Sequence, residues 1–161
     1  MGITETDLVH LRRTVELARE AADSGDSPFG SVLVDAAGVE RFADRNREET
    51  TGDPLRHPEF EIARWALTHL APAERAAATV YTSGEHCAMC AAAHAWVGLG
   101  RIVYVASAEQ ISSWRAAVGG PPSPVAALPI TAVAPGLRVE GPVRDLLEEV
   151  RVLIEHHASP A

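Results

Sequence analysis

The chain has 161 residues, 47% of them hydrophobic, which suits a single globular domain over 1–161 with a sizeable core. No basic and apolar leader opens it and no apolar run reaches the length of a membrane span, so a cytoplasmic protein is expected. The formal charge is −8, the sequence contains no Lys, and its arginines are scattered, so a nucleic-acid partner is not expected.

In chain order, Leu8, Leu11, Val15, Ala18 and Ala22 recur every three or four residues. They predict an amphipathic helix from about 7 to 23, opened by a possible Thr4-x-x-Asp7 cap. Ser31 to Asp35 and Val39 to Arg45 read as a hairpin across Ala36-Ala37-Gly38. Asn46 to Arg56 is polar and carries Asp53-Pro54, a loop signal. Pro58 suits the first position of a helix, with Ile62, Ala63, Ala66, Leu67 and Leu70 as its buried stripe.

Ala78 to Thr82 is a short strand candidate, and a helix of small residues runs from Cys87 to about Val97. Arg101 to Ala106 is apolar on both faces, as a central parallel strand would be, and a helix from about 108 to 117 follows. The proline-rich stretch Gly119 to Pro124 is a loop. A weak strand is expected near Ile130 to Val133, then a final helix from about Pro142 burying Leu146, Leu147, Val150, Leu153 and Ile154. Strands alternating with helices after a hairpin imply an α/β layered domain with a mixed sheet.

Two motifs carry chemistry: His57-Pro58-Glu59, and Cys87-Ala88-Met89-Cys90 about thirty residues later. One imidazole and two thiolates can hold a zinc ion in tetrahedral geometry and leave the fourth position to water. The residue before a proline avoids the helical region, so His57 should stand just ahead of its helix. Cys87 should stand at a helix start too, where the dipole favours thiolate. Glu59, one residue inside, can face the metal's water without binding the metal.

Other readings of these residues remain. The cysteines could be a redox pair or two core thiols. A closed structural zinc site would need a fourth ligand, for which His86 and His94 are the candidates; His94 also reads as a packed helix residue.

At these residues the chain resembles the cytidine deaminase superfamily, whose pattern is H-x-E … P-C-x-x-C. Within it the branch of guanine deaminases and tRNA adenosine deaminases is most similar: Pro28-Phe29-Gly30 ahead of a strand, Asn46, Asp53-Pro54 before His57, Glu85, and Met89 between the cysteines. The likeness covers about residues 5 to 106. It implies a three-layer α/β/α fold with a mixed sheet of about five strands, often dimeric. It further implies Zn2+ on His57, Cys87 and Cys90, Glu59 as proton shuttle, and a small heterocyclic amine plus water as reactants.

By the same resemblance Asn46 hydrogen-bonds substrate, unless it is only a turn residue. Glu85 either joins the substrate site or orients the metal loop, and Trp114 could wall the ring or belong to the core. Two positions depart from the pattern: Pro58 stands where a small residue is usual, and His86 replaces the proline before the first cysteine. Editing of a base in tRNA is a rival reading, and a non-catalytic zinc-stabilised module another.

Overall fold

The computed structural model describes residues 2–161. Its first helix, α1 (Glu5–Asp23), starts where the local chemistry places it. Asp7 N–H donates to Thr4 Oγ1 at 3.1 Å while Thr4 N–H donates to Asp7 Oδ2 at 2.8 Å, a reciprocal capping box. The hairpin follows as β1 (Gly30–Val34) and β2 (Glu40–Arg45). After it come α2 (Glu48–Thr51), α3 (Pro58–His69), α4 (Pro72–Ala77), β3 (Thr79–Gly84) and α5 (Ala88–Trp96). Then follow β4 (Arg101–Ala106), α6 (Ala108–Ala117), α7 (Ile130–Val133), β5 (Val139–Glu140) and α8 (Leu147–Ala158).

The five strands form one mixed sheet in the order β2-β1-β3-β4-β5. β1 is antiparallel to both its neighbours, with Ser31 opposite Thr82; β3, β4 and β5 are mutually parallel along the sheet. Side chains alternate across it. Val32, Val34, Tyr81, Val103 and Val105 point into a core closed by α1 and α8. Leu33 and Val80 point the other way, onto Ile62, Ala63 and Ala66 of α3, and Ile102 and Tyr104 pack with Ala91 of α5 and Ile130 of α7. The expected α/β/α layering with five strands is thus present. Each fully buried aliphatic side chain contributes roughly 1.5–3 kcal/mol to holding these layers.

Gly30 sets how closely α1 lies on β1. A Cβ there would run into the Thr14 carbonyl and the Leu17 side chain, so only glycine permits this approach. At the N-terminal end of the parallel strands, Asp7 accepts from Tyr81 Oη and from Arg101 Nη1, both at 2.7 Å. Arg101 in turn reaches Glu140 of β5 at 2.9 Å. One buried carboxylate thereby joins α1, β3, β4 and, through Arg101, the edge strand.

Several expectations need correction. Ile130 to Val133 is a helical turn, not a strand, because Ile130 is fully buried on α5 and its N–H is taken by Glu85 instead of a sheet neighbour. The fifth strand lies further on, at Val139–Glu140. Leu67 is 55% exposed: the buried arc of α3 centres on Ile62, Ala66 and Leu70, and Leu67 falls at its margin. The last helix begins at Leu147 after a tight turn over Arg144–Leu146, and Leu147 and Leu153 are only partly buried. The polar stretch 46–56 and the segment after Leu70 also hold one short helix each, α2 and α4.

Candidate metal centre and active site

Parallel strands in an open α/β sheet leave a crevice at their carboxyl ends, and the two motifs meet there. His57 is the extended residue before α3, at φ −82° and ψ 135°, with Pro58 in the first turn. Cys87 stands in the same relation to α5, at φ −66° and ψ 170°, and Cys90 lies fully buried in the first turn behind it. The two helix starts, which a proline and a small-residue run made legible, bring three donor atoms together.

His57 Nδ1 lies 3.7 Å from Cys87 Sγ and 3.6 Å from Cys90 Sγ, and all three donors fall within 4.8 Å of one another. Zinc bonds of about 2.0 Å to nitrogen and 2.3 Å to sulfur at tetrahedral angles separate N from S by about 3.5 Å. The donor set therefore fits the ion in both kind and spacing. His94 does not join it: its Nε2 faces the Gly100 carbonyl at 2.8 Å.

The other edge of the His57 ring is held as well. Nε2 lies 2.7 Å from Glu48 Oε1, so when a metal is bound Nε2 would keep its proton for Glu48 and Nδ1 would give its lone pair to the ion. Nothing in a polar loop singled out Glu48; its role appears only when α2 folds over His57. Burial tends to raise the Glu48 carboxyl, but bonding to His57, Ser27 and Asn46 outweighs it and holds the group below its ordinary value.

Without metal the cluster shares protons unevenly. Burial disfavours charge on His57, yet its bonds to Cys87 and Glu48 and the nearby Glu59 carboxylate raise its pKa to about 10. The hydrogen bond from Cys90, and after it the His57 ring, bring the Cys87 thiol down to about 4 against the effect of burial. The same Cys87 contact and burial push Cys90 up.

Glu59 is 6% exposed and sits beside this set without entering it. Its Oε1 accepts from Thr82 Oγ1 at 3.1 Å, and its Oε2 lies 3.9 Å from Cys90 Sγ. Ser31 Oγ donates to Thr82 Oγ1 at 2.8 Å, so the β1–β3 pairing supports the carboxylate. Burial raises the Glu59 carboxyl above its ordinary range, the condition a proton carrier needs near neutral pH. Thr82 and Ser31, ordinary strand residues by sequence, gave no sign of this placement.

The remaining candidates are distributed around the centre. Asn46 is buried, its Oδ1 accepting from Glu48 N–H at 3.0 Å. Glu85 accepts from the N–H groups of Ala108 at 2.8 Å and Ile130 at 2.9 Å, tying the Cys87 loop to the starts of α6 and α7. His86 is buried with its ring edge-on to His94 at 5.3 Å, and neither ring nitrogen has a partner among the described residues. Burial holds His86 neutral. Trp114 packs on the core of the α1/α8 face and walls an open groove with Gln110, Arg144, Leu147, Glu148 and Arg151, whereas Thr82 meets Glu59 from the opposite face of the sheet.

Residues 4–106 match the cytidine and deoxycytidylate deaminase zinc-binding region, and the chain belongs to this family of zinc-binding deaminase domains. It is 32% identical over 109 residues to a probable cytosine deaminase of Schizosaccharomyces pombe, covering 68% of this chain and 65% of the relative. Over 97 residues it is 35% identical to guanine deaminase of Bacillus subtilis, covering 60% of this chain and 62% of the relative. The matched stretch thus spans less than two thirds of either relative's length. The guanine deaminase structure from Nitrosomonas europaea superposes with a TM-score of 0.70 at 19% identity, over 98% of this chain and 87% of that one, and shares its fold.

Proposed function

We propose that this chain is a zinc-dependent hydrolytic deaminase that replaces an exocyclic amine of a small heterocycle by a carbonyl and releases ammonia. The observation that carries this reading is Glu59: a buried carboxyl beside a three-donor set, held by Thr82 and outside the ligand sphere. A purely structural zinc site has no use for it. Family membership and the likeness to named cytosine and guanine deaminases support the same chemistry.

His57 Nδ1 and the sulfurs of Cys87 and Cys90 would hold the zinc, which when bound lowers the pKa of a coordinated water to about 7. Glu59 takes up the proton given by the attacking water at its carboxylate. As a carboxylic acid it returns that proton to the ring nitrogen beside the reacting carbon, then carries the second water proton from the hydroxyl now on that carbon to the amine, so that the C–N bond breaks as the carbonyl forms. Water supplies the new carbonyl oxygen, and nitrogen departs as NH3. Asn46, whose Oδ1 is occupied by Glu48 N–H, offers its amide NH2 to the ring. Glu85 acts through the loop it fastens.

The acidic chain without Lys favours a free base, a guanine-like purine or an aminated triazine or pyrimidine, over a polynucleotide. Thiolate ligands suit a reducing cytoplasm. No helix among the described residues is long and apolar enough to cross a membrane. The 89% exposed Trp96 at the end of α5 supports a homodimer.

The test is ammonia release across purines, pyrimidines, nucleosides, pterins and triazines by zinc-loaded protein, with Glu59→Gln as control. Release abolished by that substitution supports the reading. No release from any substrate by protein that holds zinc overturns it.

A further inference from the structure

The single turn α2 should not stand by itself. It has four residues, none of them buried, and Arg47 at its N-cap position makes no side-chain cap. A turn this short is unstable in water, and its first N–H groups need acceptors. Two side chains outside the turn provide them. Asn46 Oδ1 accepts from Glu48 N–H at 3.0 Å. Asp26, 23 and 24 residues upstream of them and fully buried, accepts from both Glu49 N–H and Thr50 N–H through Oδ1 at 2.9 Å. Its Oδ2 accepts from Thr50 Oγ1 at 3.0 Å and from Arg45 Nη1 at 2.8 Å.

Asp26 is thus used in four hydrogen bonds, and three of them go to one exposed turn. That turn delivers a single functional contact, the Glu48 carboxylate on His57 Nε2. We propose that Asp26 is a positioning residue for the metal centre: by capping α2 from outside it aims Glu48 at His57 and so fixes the ring with Nδ1 facing Cys87 and Cys90. This rests on the zinc reading above and extends it to a residue with no contact to any ligand. The pattern of the bonds favours this role over simple stapling of the loop. Asp26 grips the turn by its backbone, next to Glu48, and Arg45 neutralises the carboxylate that does so.

Zinc affinity, measured by competition with a chromophoric chelator on folded protein, is the readout, together with the visible spectrum of the cobalt-substituted form. Loss of a partner holding a ligating histidine typically weakens metal binding by about 10- to 100-fold. Asp26→Asn and Glu48→Gln should each fall in that range and shift the cobalt bands. Because both act through one contact, the double variant should be no weaker than the poorer single one. An additive double, or wild-type affinity in Asp26→Asn, overturns the proposal. Where Asp26→Asn does not fold, Thr50→Val on the exposed side of the turn replaces it: several-fold weaker zinc is expected, and unchanged affinity overturns. If the wild-type chain itself binds no zinc, the failure lies with the function proposed earlier. If wild type binds and Glu48→Gln is impaired while Asp26→Asn is not, only the positioning role fails.

Discussion

The hydroxyl of Thr82 lies 3.1 Å from Glu59 Oε1 and 2.9 Å from the Gly84 carbonyl, so one strand hydroxyl is shared between the carboxyl of the helix residue and its own strand's backbone. Two substitutions separate its parts. Glu59→Gln should keep zinc and lower turnover by about 10²–10⁴-fold, the usual contribution of acid–base catalysis. Thr82→Val should keep zinc and fold while lowering turnover by less, since it frees the carboxyl without deleting it. Steady-state ammonia release with metal analysis on the same samples checks both, and a fully active Thr82→Val would show that the bond is incidental.

Zinc uptake should release protons with a definite count. Between pH 6 and 8 the metal-free protein carries Cys87 as thiolate, its pKa being about 4, and His57 protonated, its pKa being about 10; Cys90 is protonated as well. Binding needs all three deprotonated, so about two protons leave and affinity should climb roughly 100-fold per pH unit. Calorimetry in buffers of different ionisation enthalpy measures the count, and a pH-independent affinity contradicts the ligand set.

Acid should loosen the fold through Asp7. Burial opposes its charge, but Arg101, Thr4 and Tyr81 more than offset this and hold the carboxyl well below its ordinary value. A depressed folded-state pKa gives stability that is whole above the unfolded value near 4 and lost as pH falls through the folded one. Asp7→Asn should therefore cost about 1.5–3 kcal/mol at pH 7, since it removes one of the two carboxylates on Arg101 and leaves Glu140 as its partner, and progressively less below pH 4. Urea denaturation at pH 7 and pH 3 checks this; an equal gap at both would be the wrong sign.

Glu85 distinguishes a loop fastener from a substrate contact. Its two carboxylate oxygens each accept a backbone N–H, from Ala108 and Ile130. Glu85→Ala should lower stability by about 1–3 kcal/mol per N–H left unpaired and, by loosening the Cys87 loop, weaken zinc. With zinc saturating, KM should stay close to wild type. A KM effect with unchanged stability would place Glu85 against substrate.

What the sequence made legible was local. Thr4 and Asp7 are three residues apart and cap each other, and Pro58 marks a helix start whatever surrounds it. The alternatives at Ile130 were decided at a distance: its N–H goes to Glu85, forty-five positions earlier, and the β-branched run bends into a turn. Edge strand β5 rests likewise on the Arg101–Glu140 pair, which no periodicity announces. In the site, the three donors and Glu59 were readable because the motif spacing carries their geometry. Glu48, Thr82 and Asp26 were not, since a carboxylate in a polar stretch or a threonine in a strand has nothing local to mark it. Trp114 shows the converse: an aromatic residue past a central strand has two faces to choose from, and the core of the α1/α8 layer took it.

The Asp7–Tyr81–Arg101 clamp lies toward the starts of the parallel strands, while the donor set and Glu59 stand at their finishes. Endurance and reactivity are therefore housed at opposite poles of one sheet. An engineer reshaping the crevice for a different ring could vary its rim while leaving the fastening at the far pole untouched.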